Sequence, residues 1–188
     1  MGKVGIIGAT GWLGQALGLN LLRQGILSAS DLVLLRRSGD GAAYAAFPGI
    51  VWASDASELC ALCDTVVLSV RPHDFPMPGF APRDPLLISF MAAWSLEALQ
   101  DMAPAARVVR AMPNSGAPAG ASYTPWVAGK GVTADDRART ARLLGAMGQE
   151  EALESESQLH YLSALSGSGA AYPALMARAM LADAVAFG

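Results

Sequence analysis

Cysteine is nearly absent from this 188-residue chain, which has only Cys60 and Cys63, in a single Cys-Ala-Leu-Cys. There is no second pair, and His73 and His160 are the only histidines. The two thiols therefore read as small apolar side chains on one helix face, and no metal is expected. Charge is also scarce. Lys and Arg number 13 against 16 Asp and Glu, a net charge of -3. That balance lacks the basic footprint that nucleic-acid backbones require, so no nucleic-acid partner is expected. A hydrophobic content of 53% with 15% charged residues excludes intrinsic disorder. No stretch of 18 apolar residues occurs, which predicts no membrane span. Met1-Gly2-Lys3 leads directly into apolar Val4-Gly5-Ile6-Ile7. A secretory signal would need a longer apolar segment and a cleavage site, and a myristoylation signal would need a small hydroxyl residue at Ile6. Cytoplasm is the expected compartment.

What is present alternates. Residues 3 to 7 form an apolar run, and 12 to 24 carry Leu13, Leu17 and Leu21 at four-residue spacing, closed by Gly25. Leu32-Val33-Leu34-Leu35 follows without polar alternation, as a strand buried on both faces should. Further strands are predicted at 50–52, 65–70, 86–90, 107–112 and 149–154, with an edge strand at 123–128. Helices are predicted after Asp55 (a capping box with Glu58), after Ser95, and from Thr133 to about Met147. Length and pattern predict an α/β fold, a doubly wound, mostly parallel Rossmann-type sheet over 1–154. Residues 155–188 differ: a polar Ser155 to Gln158, a hinge at Gly167-Ser168-Gly169, then a helix over 170–187 whose only charges are Arg178 and Asp183. A helix apolar nearly all round must be buried. It is therefore expected to pack against a second subunit or against sequence outside this chain.

Gly8-Ala9-Thr10-Gly11-Trp12-Leu13-Gly14 joins the first strand to the first helix. Glycines there permit a close approach of pyrophosphate, and helix N-terminal amides supply donors; a purely structural turn is the alternative. No Gly-Lys-Ser or Gly-Lys-Thr follows, so an NTPase loop is not indicated. Strand two ends in Arg36-Arg37-Ser38, where an NAD site usually places an acid. Guanidinium groups and a hydroxyl suit a 2′-phosphate, which favours NADPH over NADH; a solvated basic turn is the alternative. Three more strand ends look chemical: Ser69-Val70-Arg71-Pro72-His73, Ser89 to Trp94, and Met112-Pro113-Asn114-Ser115. Here Arg71 is a ligand contact or a loop anchor, and Asn114 a ring contact or an Asx-turn residue. His73 is a proton carrier or a surface residue, and Trp94 a ring shield or core cover. His160 has no convergent partners. No nucleophilic triad is present, which hydride chemistry does not need.

Three of these segments together resemble pyrroline-5-carboxylate reductases: Val4 to Leu17, Val109-Arg110-Ala111-Met112-Pro113-Asn114, and Leu165 to Tyr172, in which Ala170 stands where a Pro is usual. The resemblance implies NADPH-dependent reduction of the ring C=N of 1-pyrroline-5-carboxylate to L-proline. It places Gly8, Gly11, Leu13 and Gly14 at the pyrophosphate and Arg37 and Ser38 at the 2′-phosphate; Thr10, Trp12 and Arg36, in the same two loops, are expected to join them as cofactor contacts. Val70, Arg71, Pro72, Ala92, Met112 and Asn114 fall at the nicotinamide. Arg71 replaces a usual Lys, Ala93-Trp94 a glycine-containing turn, and Gly116 a Pro. The family continues into a helical domain that forms the dimer and supplies the substrate carboxylate site and proton donor, so no general acid is named here. The chain reaches only the first long helix of that domain, which implies a homodimer through that helix. It also implies a truncated member, or one that binds cofactor without normal turnover.

Overall fold

The computed structural model describes residues 2–169 and 171–188; Met1, and Ala170 with its place in the third resembling segment, lie outside the described residues. Eight strands form one sheet: β1 (Val4–Ile7), β2 (Leu32–Leu35), β3 (Val51–Trp52), β4 (Thr65–Leu68), β5 (Leu86–Ser89), β6 (Arg107–Ala111), β7 (Ser122–Ala128) and β8 (Gly148–Leu153). Their order is β3-β2-β1-β4-β5-β6-β7-β8. Pairings from β3 to β6 are parallel, β7 runs antiparallel to β6, and β8 is parallel to β7. The connecting helices are α1 (Trp12–Arg23), α2 (Ala56–Leu62), α3 (Leu96–Met102) and α4 (Ala134–Gly145).

Side chains alternate across the pleat, which explains the unbroken apolar runs. On one face Ile6, Leu34, Val67 and Ile88 pack against Leu17 and Leu21 of α1 and Leu143 and Leu144 of α4. On the other, Ile7, Val33, Val66 and Leu87 meet Leu59 of α2 and Leu99 of α3. Gly5 lets α2 approach closely: a Cβ there would lie 2.5 Å from Leu59 Cδ2.

The strand at 122–128 is not an edge. The polar segment Gly148 to Leu153 pairs with it in parallel and takes the edge itself. Pro125, which has no N–H to give, still accepts from Met112 N at 3.0 Å. β4 ends at Leu68 and β6 at Ala111, short of Val70 and Met112, because ladder pairing stops where the loops diverge.

At α4, Thr133 Oγ1 accepts from Asp136 N (3.1 Å) while Asp136 Oδ2 accepts from Thr133 N (3.0 Å), a reciprocal cap. Arg107 Nε on β6 also donates to Asp136, at 2.8 Å. Burial pushes the Asp136 carboxyl up, but the hydrogen bonds from Arg107 and Thr133 outweigh it and hold the pKa below the usual value. At α2 Asp55 accepts from Glu58 N, whereas Glu58 returns to Ser54 rather than to Asp55.

Beyond the sheet come α5 (Glu156–Leu162), a π turn at Ser163–Gly167 and α6 (Ala171–Phe187). Arg110, only 3% exposed on β6, pairs with Glu156 of α5, which also accepts from Leu96 N at 3.0 Å. His160 has a neighbour after all: its Nε2 lies 3.4 Å from Arg110 Nη1. No residue of α6 is buried in this chain; Met176, Met180 and Phe187 are 64%, 67% and 96% exposed. Taken together, the helical run Glu156–Phe187 is long and apolar enough to cross a membrane. The sequence patterning does not reveal that property, because Arg178 and Asp183 interrupt the apolar run.

Candidate functional site

From β1 the chain moves outward to β2 and β3, then crosses back to lay β4 on the other side of β1. Loops leaving the carboxyl ends of β1, β2 and β4 therefore diverge and open a crevice, the usual ligand position in such sheets. A cleft of about 640 Å³ lies there, lined by Ile7, Gly8, Thr10 and Gly11, by Leu35 to Ser38, by Ser69 to Arg71, and by Asp55, Asp74 and Met77.

Its floor is the glycine turn. Gly8 has φ +88°, and a Cβ there would sit 2.3 Å from Ser69 O. A Cβ on Gly14 would sit 2.3 Å from Gly8 O, and one on Gly11 would sit 3.2 Å from it. Gly8 N and Ala9 N both donate to Leu35 O, at 3.0 and 3.1 Å, which fixes the turn between β1 and β2. The α1 N-terminus has no side-chain cap and no acidic residue in its first turn. Among the described residues, the amides of Thr10, Trp12 and Leu13 donate to no backbone acceptor. Free amides at the positive end of a helix, on a floor with no side chains in the way, suit a pyrophosphate.

The β2 side is basic. Thr10 Oγ1 donates to Ser38 O at 2.8 Å and joins the glycine turn to this loop. The Arg36 guanidinium lies 4.7 Å from the Trp52 ring centroid. Arg37 Nη1 crosses the crevice to a carboxylate oxygen of Asp74.

Of the residues singled out from sequence, Gly8, Thr10, Gly11, Arg36, Arg37, Ser38, Val70 and Arg71 converge on this cleft. Gly14 is buried beneath it, Leu13 packs into the core, and Trp12 is 68% exposed and faces a neighbouring groove beside Arg23 and Pro118. Pro72 opens a 3-10 turn (Pro72–Asp74), and its carbonyl accepts from Trp94 Nε1 at 3.2 Å. Ala92, Met112 and Asn114 follow β5 and β6 and do not line the cleft. Asn114 forms an Asx turn: Oδ1 accepts from Gly116 N at 3.0 Å, and Nδ2 donates to Ser166 O at 3.4 Å. Ala93 occupies a left-handed conformation, φ +64°, one that favours glycine. His73 is exposed. Trp94 stacks edge-on to Phe75, with centroids 4.9 Å apart.

Asp74 and Tyr44 carry no local signal, and Asp55 is marked in the sequence only as a helix cap; their places beside the site emerge only from the folded chain. Asp74 and Asp55 bring carboxylates to the cleft, Asp55 being committed to the α2 cap. Tyr44 is buried behind the glycine turn and donates to Ala9 O at 3.1 Å, and burial pushes its hydroxyl pKa well up. The cysteines are buried and free. Burial pushes Cys63 to about 12 and Cys60 in the same direction, so neither is an activated nucleophile.

Residues 3–93 match a sequence-family model described as NADP oxidoreductase coenzyme F420-dependent. The pyrroline-5-carboxylate reductase of Mycobacterium tuberculosis is 32% identical over 201 residues, covering 100% of this chain and 67% of that protein. The solved 1-pyrroline-5-carboxylate reductase of Streptococcus pyogenes superposes with a TM-score of 0.85 at 26% identity, over 99% of this chain and 71% of that one. The Plasmodium falciparum pyrroline carboxylate reductase, solved with NADP bound, has a TM-score of 0.81 at 22% identity, over 99% and 70%. At that identity the last likeness is one of fold.

Proposed function

We propose that this chain, which belongs to the pyrroline-5-carboxylate reductase family, binds NADPH in the cleft and uses it to reduce the C=N bond of 1-pyrroline-5-carboxylate, giving L-proline. One observation carries the cofactor reading: a glycine floor at an uncapped helix N-terminus faces a strand end whose charges are arginines. The cofactor supplies a hydride to the imine carbon, and a proton reaches the nitrogen from water or from a separate donor. The chain's own residues do the rest. Gly8, Thr10, Gly11, Trp12, Leu13 and Gly14 hold the pyrophosphate, chiefly through backbone. Arg36, Arg37 and Ser38 take the 2′-phosphate by charge-assisted hydrogen bonds. Val70, Arg71 and Pro72 bound the nicotinamide on the β4 side, and Ala92, Met112 and Asn114 bound it beyond β5 and β6. The NADP in the Plasmodium falciparum relative supports this assignment of the cofactor. We assign 1–154 to the dinucleotide unit and 155–188 to the hinge and first long helix of a helical unit. Through α6 two copies pair, since its apolar side chains have no cover within one chain.

The test is Arg37→Ala. Losing charge-assisted bonds of about 1.5–3 kcal/mol lowers NADPH affinity roughly 10- to 100-fold and leaves NADH unchanged. Equal dissociation constants for the two nucleotides in the native protein would refute the cofactor assignment. A second reading, a reductase acting on another small substrate or cofactor, is favoured by the family-model match over residues 3–93. It requires turnover with that substrate and none with pyrroline-5-carboxylate. A non-catalytic NADP(H)-binding protein would bind NADPH and oxidise none.

A further inference from the structure

Among the described residues, the ion pair between Arg37 and Asp74 is the one hydrogen-bonded link from the β2 wall of the cleft to the β4 wall. Arg37 leaves the end of β2 with its side chain 75% exposed, while the Asp74 side chain, in the 3-10 turn after β4, is 21% exposed. The carboxylate is thus the more confined partner, and the flexible arginine reaches to it. Among the described residues no other hydrogen bond reaches the Asp74 carboxylate; His73 Nε2 lies 3.8 Å from the same oxygen. Of the other charged groups lining the cleft, Arg36 and Asp55 are engaged elsewhere, and Arg71 has no side-chain hydrogen bond or ion pair among the described residues. Arg36 rests on Trp52, and Asp55, the other carboxylate in the cleft, accepts from Glu58 N.

We propose that Asp74 is a specificity-determining residue: it occupies Arg37 in the cofactor-free cleft and counts against dinucleotides that carry a 2′-phosphate. This rests on the NADPH assignment above. A 2′-phosphate that engages Arg37 must displace Asp74, and the released carboxylate stays in the same cleft wall beside a group of its own sign. Like charges in one cleft repel, the more so where protein limits solvent access. A nucleotide with a free 2′-hydroxyl has no such demand, since it leaves the ion pair closed. Asp74 therefore narrows the preference that Arg37 creates, and it holds the β2 and β4 loops together while the cleft is empty.

The experiment titrates adenosine 2′,5′-bisphosphate and 5′-AMP, together with NADPH and NADH, into native protein, Asp74→Asn, Arg37→Ala and the double variant, at low and high salt. Asp74→Asn is expected to bind the 2′-phosphorylated ligands about fivefold more tightly, the scale of an exposed ion pair, with 5′-AMP and NADH unchanged. The gain should shrink at high salt and in the Arg37→Ala background. Weaker binding of the 2′-phosphorylated ligands by Asp74→Asn would mean that Asp74 orients Arg37, and would overturn the proposal. An equal gain for both ligand classes, or the full gain without Arg37, would also overturn it and leave the NADPH assignment standing. If native protein and Arg37→Ala bind the two ligand classes alike, the NADPH assignment fails, and this proposal with it.

Discussion

Three glycines separate the two reasons the phosphate turn cannot carry side chains. Gly25, at φ +65°, has nothing within 4 Å of where a Cβ would sit, so Gly25→Ala meets only left-handed strain of about 1–2 kcal/mol. Gly14 has no positive φ, but its Cβ would fall 2.3 Å from Gly8 O. Overpacking of about 1–3 kcal/mol, less the roughly 1 kcal/mol that alanine gains over glycine in a helix, leaves about 0–2 kcal/mol for Gly14→Ala. Gly8 combines both, with φ +88° and a Cβ 2.3 Å from Ser69 O and 2.8 Å from Ser69 C. Its alanine variant should lose about 2–5 kcal/mol. Because the obstruction is backbone, relief can come only by moving β4 from β1, which opens the pyrophosphate floor and weakens NADPH as well. Urea unfolding of the three variants, with NADPH titration alongside, measures both effects. A Gly8→Ala protein no less stable than Gly25→Ala, binding NADPH normally, would refute the close-approach account.

Two further outcomes follow from packing. Asp136 has a lowered pKa in the folded chain. Its contribution is therefore present above the unfolded value of about 3.9 and is lost as pH falls through the folded value. Asp136→Asn should cost about 1–2 kcal/mol at pH 7 and flatten the acid limb of stability in urea titrations; an unchanged limb would contradict the cap and Arg107 account. For α6, sedimentation at micromolar concentration should give a dimer, and Met176→Glu with Met180→Glu should shift it to monomer; a monomeric native protein would contradict pairing through that helix.

Much of the fold is legible in the sequence because its signals are local. Leu32 to Leu35 and Val66 to Leu68 are unbroken apolar runs, as strands covered on both faces are, and Gly25 and Thr133 mark helix ends in their own sequence. Within the cleft, the glycine turn and Arg37 are legible for the same reason. What is not legible depends on distant partners. Asp74 acquires meaning only from Arg37, 37 positions away, and Tyr44 only from Ala9, 35 positions away. Arg110 reads as part of a motif, yet its burial is compensated by Glu156, 46 positions on. Sequence alone puts the 123–128 strand at the edge, wrongly, because neighbour order in a sheet is not written in any one strand. For Asn114 the sequence allows either a ring contact or a turn residue; in the folded chain its Oδ1 makes the turn bond to Gly116 N, while Nδ2 donates to Ser166 O, 52 positions away.

The most direct test of the central claim is to follow absorbance of NADPH with 1-pyrroline-5-carboxylate added to the protein while assaying L-proline, with NADH in parallel. The account predicts proline formed in step with NADPH consumed, and faster than with NADH at equal concentration. NADPH bound but no proline formed, or turnover confined to an unrelated substrate, would contradict it.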